Sequence, residues 1–120
     1  MVKVMSFFDV WWGAEVEAKI WSIANTVPKV MEWRVKGRVE CLVPSWKDVD
    51  EFKAGKIDEA EFVSRYRKLM VKRWVSVKKW LDGLKGDEIL CCWERDGFCH
   101  RYLVAKVIEK FRGDLQLEVS

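Results

Sequence analysis

The feature that most constrains the fold is a short apolar run near the carboxyl end of the chain, Ile89-Leu90-Cys91-Cys92-Trp93. An apolar run of this length without alternation is typical of a strand buried on both faces, and such strands occur in parallel sheets. Residues with helical spacing precede the run and follow it, the latter over residues 99–112. The sequence therefore predicts an α/β domain, a three-layer sandwich with a central, mostly parallel sheet.

The chain is the size of one domain, and we interpret residues 1–120 as a single α/β domain. Half of the residues are hydrophobic and the formal net charge is +3, which is too small an excess to indicate nucleic-acid binding by itself. No apolar run approaches the roughly 18 residues of a membrane span. The amino-terminal segment lacks the plan of a signal peptide, so the sequence predicts a cytoplasmic protein without membrane contact.

Two features of the composition bear on the cysteines and on the surface. The single Asn and single Gln, beside abundant Lys and Glu, are typical of a hyperthermophile, where intracellular disulfides are common enough to consider. The chain also has eight Trp. Because Trp is seldom fully buried, we expect several of them at the surface or in a pocket wall.

The remaining elements follow from local signals. We predict a strand over residues 2–10, and either a strand over residues 18–24 or a short helix from Ala14. Residues 29–44 have no clean period and are interpreted as a long loop with a short strand at 38–42. Ser45 is the expected start of one helix and Asp58 of the next, a third helix ends near Gly83 or Gly86, and residues 115–119 alternate as a terminal strand.

Ligands of α/β proteins bind beyond the carboxyl ends of the strands, which directs attention to the segment from Cys92 to Arg101. It holds two thiols, the only imidazole, a carboxylate and two guanidinium groups. We expect Cys99, His100 and Arg101 in the first turn of a helix. Free backbone N–H groups there favour an anion and lower the pKa of a thiol.

The same segment resembles the family known as domain of unknown function 488, and its small archaeal members in particular. The family has a strand ending in Leu-Cys-aromatic-Glu, followed by a loop and by Cys-His-Arg. This chain is similar to that pattern, and the duplicated cysteine, Cys91, is its departure from it. The resemblance spans most of residues 2–112; it implies an α/β sandwich and carries no established substrate. The matching positions are Leu90, Cys92, Trp93, Glu94, Cys99, His100, Arg101, Leu42-Val43-Pro44-Ser45 (Val43 replacing Ala), Phe52, Lys53, Gly55, Phe62, Arg65, Tyr66, and Ile23-Ala24-Asn25 through Pro28.

The leading interpretation is a small-ligand site for an anion of the nucleotide type. Its ligand-binding residues would be Cys92, Arg101, Asn25 and Ser45. A catalytic version uses Cys99 or Cys92 as the nucleophile, although a direct contact between neighbouring Cys99 and His100 is not expected on a helix. The catalytic set would then be Cys99, His100 and Glu94.

Other interpretations make the cysteines structural. A zinc site would use Cys41, Cys92, Cys99 and His100, although paired C-x2-C motifs are missing. A Cys92–Cys99 disulfide is an equivalent alternative. Adjacent Cys91 faces the opposite side of the strand and is expected in the core.

Two interaction modules complete the alternatives. Basic residues interleaved with Tyr66, Trp74 and Trp80 suit a nucleic-acid surface, although a solvated helix face with aromatic rings in the core is the favoured explanation. Exposed Trp residues would suit a homodimer contact; those considered are Trp11, Trp12, Trp21 and Trp33. The sequence indicates no cofactor and leaves open whether the protein is an enzyme.

Overall fold

A computed structural model describes residues 1–12, 19–94 and 98–120. Its sheet has five strands in the order β3-β2-β4-β1-β5, and every neighbouring pair is parallel. The α/β class and the parallel sheet predicted from the sequence are therefore confirmed. The strands are β1 (Val2–Ser6), β2 (Ile20–Ser22), β3 (Val35–Arg38), β4 (Ile89–Cys92) and β5 (Leu117–Val119).

Helices connect and cover these strands. The α-helices are α1 (Phe7–Trp12), α2 (Trp46–Lys53), α3 (Glu59–Lys72), α4 (Trp74–Asp82) and α5 (Arg101–Phe111). Two short 3-10 helices span Lys29–Arg34 and Glu40–Leu42. Within the described residues, none of the helices has the length and apolar character needed to cross a membrane.

Strand β4 lies at the centre of the sheet and is buried along its whole length. Its alternate residues enter two different hydrophobic clusters. Leu90 and Cys92 join the larger cluster, with residues of α3, α4 and α5, whereas Ile89 and Cys91 join a smaller one that includes residues of α1. Because strand residues alternate between faces, the predicted core position of Cys91, opposite to Cys92, is confirmed.

Side-chain caps fix the starts of the central helices as the sequence predicted. The Ser45 hydroxyl accepts the N–H of Asp48 at 3.2 Å, and the Asp58 carboxylate accepts the N–H of Glu61 at 2.8 Å. Such caps satisfy N–H groups that have no partner within the helix. Along α3, Phe62, Tyr66 and Met70 recur every four residues and are buried, which turns one stripe of the helix inward.

The predicted strand over residues 2–10 is wrong beyond Ser6. There the Ser6 hydroxyl accepts the N–H of Asp9 at 3.1 Å, and helix α1 starts at Phe7. Apolar residues lie on both sides of this change, so periodicity alone does not reveal it. The strand expected over residues 18–24 is β2, and the alternative helix from Ala14 falls outside the described residues.

The interpretation of residues 29–44 as mostly loop is also wrong. This segment holds both 3-10 helices, and its strand, β3, occupies Val35–Arg38 rather than residues 38–42. Strand β3 is an edge strand with alternate residues exposed, so only its pairing with β2 defines it. Near the carboxyl end, α5 begins at Arg101 rather than at Cys99, and β5 begins at Leu117 rather than at Leu115.

Candidate functional site

The candidate site lies where β2 and β4, neighbours in the sheet, reach their carboxyl ends. The chain that follows β2 and the chain that follows β4 meet the start of α5 around a cavity of about 70 Å³. A cavity of this size can hold several water molecules or a small chemical group. Aromatic rings form much of its wall: Trp46, Phe52, Phe62, Trp93 and Phe98.

Cys99 and His100 both line this cavity, and their side chains touch. The Cys99 Sγ and the His100 Nδ1 are 3.6 Å apart. The expectation that these neighbours would not meet is wrong, because it placed both on the helix. Cys99 precedes α5 and His100 is its N-cap residue, so the helical angle between successive residues does not separate them.

A second contact of His100 defines which nitrogen carries the hydrogen. The His100 Nε2 lies 2.6 Å from the backbone oxygen of Ile23, just after β2. Because a carbonyl oxygen can only accept, Nε2 must donate, which leaves Nδ1 free in the neutral ring to accept the Cys99 proton. The ring also packs against Tyr66, with 5.5 Å between centroids. His100 is therefore held in orientation from two sides.

Cys92 is the second thiol of the site. The Sγ atoms of Cys92 and Cys99 lie within 4.8 Å of each other. Interaction with the Cys92 thiol lowers the pKa of Cys99; burial opposes the change, while His100 and the backbone N–H of Arg101 add to it. The pKa of Cys92 is raised by its interaction with Cys99 and by burial. Of the two thiols, Cys99 is therefore the one that loses its proton more readily.

Arg101 is wholly buried, and its guanidinium is held by several protein atoms. Its guanidinium donates to the Cys92 sulfur at 3.3 Å, to the backbone oxygen of Glu94 and to that of Ser120 at 2.9 Å. It also donates to the Tyr102 hydroxyl at 2.9 Å. The structure places this predicted ligand-binding residue behind the cavity, where it holds the Cys92 thiol and the backbone of Glu94.

Glu94 faces the cavity from the end of β4. Its carboxylate is 3.8 Å from the Lys53 ammonium and lies within 4.8 Å of both the Cys92 and the Cys99 sulfur. Two sulfurs and one oxygen at such spacing could hold a zinc-type ion with a fourth position open. In the described part of the chain, Cys41 joins no such group, and His100 stays outside this one.

The two remaining predicted ligand-binding residues differ in position. Asn25 lines the cavity, and its side-chain amide donates to the backbone oxygen of Pro44 at 3.0 Å, which joins the two loops. Ser45 follows Pro44 but caps α2 with its hydroxyl. Asn25 therefore lies at the same cavity as Cys99 and His100, whereas Ser45 stabilises the start of α2.

Trp residues were expected in a pocket wall without their positions, whereas the three Phe rings of that wall and the carbonyl that orients His100 were not predicted. Trp93 closes one side, where its indole N–H donates to the backbone oxygen and hydroxyl of Thr26 at 2.8 Å. A local signal was available for two of these rings. Trp46 immediately follows the cap residue Ser45, and Phe98 immediately precedes Cys99. The Ile23 carbonyl carried no signal, because only the pairing of β2 with β4 brings it to His100.

The surfaces predicted for macromolecular partners stay predictions. Tyr66 is 2% exposed, so its ring cannot stack on a base, and Trp74 packs against Phe111 with 4.9 Å between centroids. Trp11, Trp12 and Trp33 are exposed, as expected of several Trp residues. Their exposure does not by itself identify a partner.

Comparison with known proteins found no matching family model, no matching curated protein and no matching solved structure. The resemblance to domain of unknown function 488 therefore stays a prediction.

Proposed function

We propose that the chain binds a small molecule in the cavity and that Cys99 is the nucleophile that reacts with it. The observation that carries this proposal is the contact between the Cys99 sulfur and His100 Nδ1, with Nε2 anchored to the Ile23 carbonyl. A thiol next to an oriented imidazole is the common arrangement for nucleophilic catalysis by cysteine. The cavity gives a substrate access to that sulfur, although Cys99 is only 4% exposed.

The chemistry follows from the partners of Cys99. The sulfur attacks an electrophilic atom of the bound molecule and forms a covalent bond to it, while the bond to the leaving group breaks. His100 takes the thiol proton and can return it to that leaving group. The backbone N–H of Arg101, at the start of α5, supports negative charge on the sulfur before attack.

The cavity wall favours a small and largely apolar molecule with a few polar groups. Trp46 and Trp93 offer flat apolar surfaces, and Asn25 and Thr26 offer polar groups. An anionic group on the ligand would meet Lys53 rather than Arg101, since Arg101 is already committed to protein atoms. A cytoplasmic location, as predicted from the sequence, would keep both thiols reduced and ready to react.

Alkylation at neutral pH tests the proposal directly. Iodoacetamide is small and uncharged, and we expect it to modify one cysteine much faster than the other three, with peptide mapping identifying Cys99. Replacing the base with His100→Gln should slow this modification about tenfold or more, because the sulfur loses the group that accepts its proton. Equal and slow labelling of all four cysteines would rule the proposal out.

A matched control separates the site from its surroundings. Cys91→Ser changes the adjacent thiol on the opposite face of β4, so rapid labelling of Cys99 should persist unchanged. Cys99→Ser should abolish the rapid phase altogether. If the rapid phase instead disappears with Cys91→Ser, the reactive thiol is not the one lining the cavity.

A further inference from the structure

We infer that Cys92 and Cys99 act as a dithiol that reduces a small disulfide, with Cys99 as the attacking and Cys92 as the resolving thiol. The inference deepens the proposed function and rests on it, since it takes Cys99 as the nucleophile. It assigns the substrate class and a role to a thiol that simple nucleophilic catalysis does not require.

The position of Cys92 carries the inference. Its sulfur lies within 4.8 Å of the Cys99 sulfur, yet its side chain is wholly buried. A thiol in that position is reached by the neighbouring sulfur but not by a substrate. Such placement suits a second-step nucleophile, which attacks only a bond already formed at Cys99.

Arg101 and the positions of the two cysteines in the fold support these roles. Arg101 donates to the Cys92 sulfur at 3.3 Å and would stabilise the thiolate that Cys92 must form in the second step. Cys92 ends β4 and Cys99 precedes α5, so the two sulfurs belong to different parts of the fold rather than to one rigid helix. The approach needed for a disulfide, to about 2.05 Å between sulfurs, can be shared by two side chains.

The reduction of the substrate disulfide takes two steps. The Cys99 thiolate attacks one sulfur of a substrate R–S–S–R, which forms a mixed disulfide and releases one R–S⁻ that takes the proton from His100. Cys92 then loses its proton and attacks the Cys99 sulfur, which forms the Cys92–Cys99 disulfide and releases the second thiol. The substrate gains two electrons and two protons, and the protein dithiol loses them. A small cellular thiol is the reductant that restores the dithiol.

Mass spectrometry with bis(2-hydroxyethyl) disulfide as the probe tests the inference. Wild-type protein should lose the mass of two hydrogen atoms and release two molecules of mercaptoethanol per disulfide consumed. Cys92→Ser should stop at the mixed disulfide, which keeps one mercaptoethanol unit attached to Cys99. Cys41→Ser, a matched loss of a thiol away from the pair, should complete the cycle as wild type does.

The outcomes distinguish this inference from the proposed function. If wild type also stops at the mixed disulfide while iodoacetamide still labels Cys99 rapidly, Cys92 does not resolve and only the inference falls. If Cys99 reacts with neither reagent, both fall. One tightly held zinc ion per chain in protein purified without chelator, with both thiols blocked, would overturn the dithiol role in favour of a metal site.

Discussion

Tyr66 shows how one buried polar atom ties a helix to the wall of the site. Its hydroxyl donates to the backbone oxygen of Leu42 at 2.6 Å, and its ring packs against both Phe62 and His100. Burial raises the pKa of this phenol, so the hydroxyl stays protonated and remains a donor. The contact joins α3 to the 3-10 helix over Glu40–Leu42.

Tyr66→Phe removes the hydroxyl and keeps the ring. We expect the free energy of unfolding to fall by about 1 kcal/mol, because the buried Leu42 carbonyl loses its donor. Rapid alkylation of Cys99 should continue, since the ring against His100 is retained. Urea unfolding followed by circular dichroism measures the change, and an unaltered midpoint would show that the hydrogen bond adds nothing.

At the scale of elements, the turn before β4 is held by one carboxylate. Glu88 accepts the backbone N–H groups of Lys85 at 2.8 Å, Gly86 at 2.9 Å and Asp87 at 3.1 Å. Burial alone raises the pKa of this carboxyl, but these N–H groups outweigh burial and leave the pKa lowered. Gly86 has a φ of +106°, which other residues rarely adopt, so the turn needs both residues.

Glu88→Gln should lower the free energy of unfolding at neutral pH by about 1 kcal/mol, because the amide nitrogen cannot accept an N–H. The folded pKa of Glu88 is below its unfolded value, so its stabilisation is complete above the unfolded pKa and disappears as the pH falls through the folded one. The difference between wild type and variant should therefore shrink in acid. Asp87→Asn, a neighbouring exposed carboxylate, is the control and should change little. A difference that grows in acid would contradict this assignment.

Among the helices and strands, those with local start signals were predicted from the sequence. Helices α2 and α3 were predicted because their caps, Ser45 and Asp58, and their inward spacing are local signals. The end of β1 at Ser6 was not predicted, because apolar residues follow Ser6. The position of β3 was not predicted either, because it depends on pairing with β2. Local patterns mark where a helix starts, whereas an edge strand is defined by a partner far away in the sequence.

The candidate site divides in the same way. Its location at the β4–α5 junction and the proximity of Cys92, Glu94 and Cys99 followed from the general geometry of parallel sheets. The role of Arg101 did not, because a guanidinium in a sequence does not show whether it faces a ligand or the protein interior. Burial decides that, and burial is a property of the whole packing arrangement.

At the scale of the whole molecule, Arg101 joins the centre of the sheet to its edge. It reaches the end of β4 through Cys92 and Glu94, and the residue after β5 through Ser120. Arg101→Met keeps much of the apolar stem and removes the guanidinium donors. We expect a loss of about 3 kcal/mol in the free energy of unfolding, because the buried Cys92 sulfur and three part-buried oxygens lose their donor together.

Urea unfolding of this variant provides the measurement, with Arg67→Met on the exposed face of α3 as the control. Arg67→Met should leave the midpoint almost unchanged. An Arg101→Met protein as stable as wild type would show that the guanidinium is dispensable for the fold, and would leave it available for ligand binding.

The strand order also decides when the sheet can be completed during synthesis. In the described sheet, β1 pairs only with β4 and β5, so the first strand to be made has no partner until residue 89 has been added. Pairings between such distant segments form slowly, and an apolar strand edge that waits for its partner is prone to associate with other chains. A nascent chain therefore carries an open strand edge from the synthesis of β1 until β4 is added, and shielding of that edge during this interval would favour folding over association.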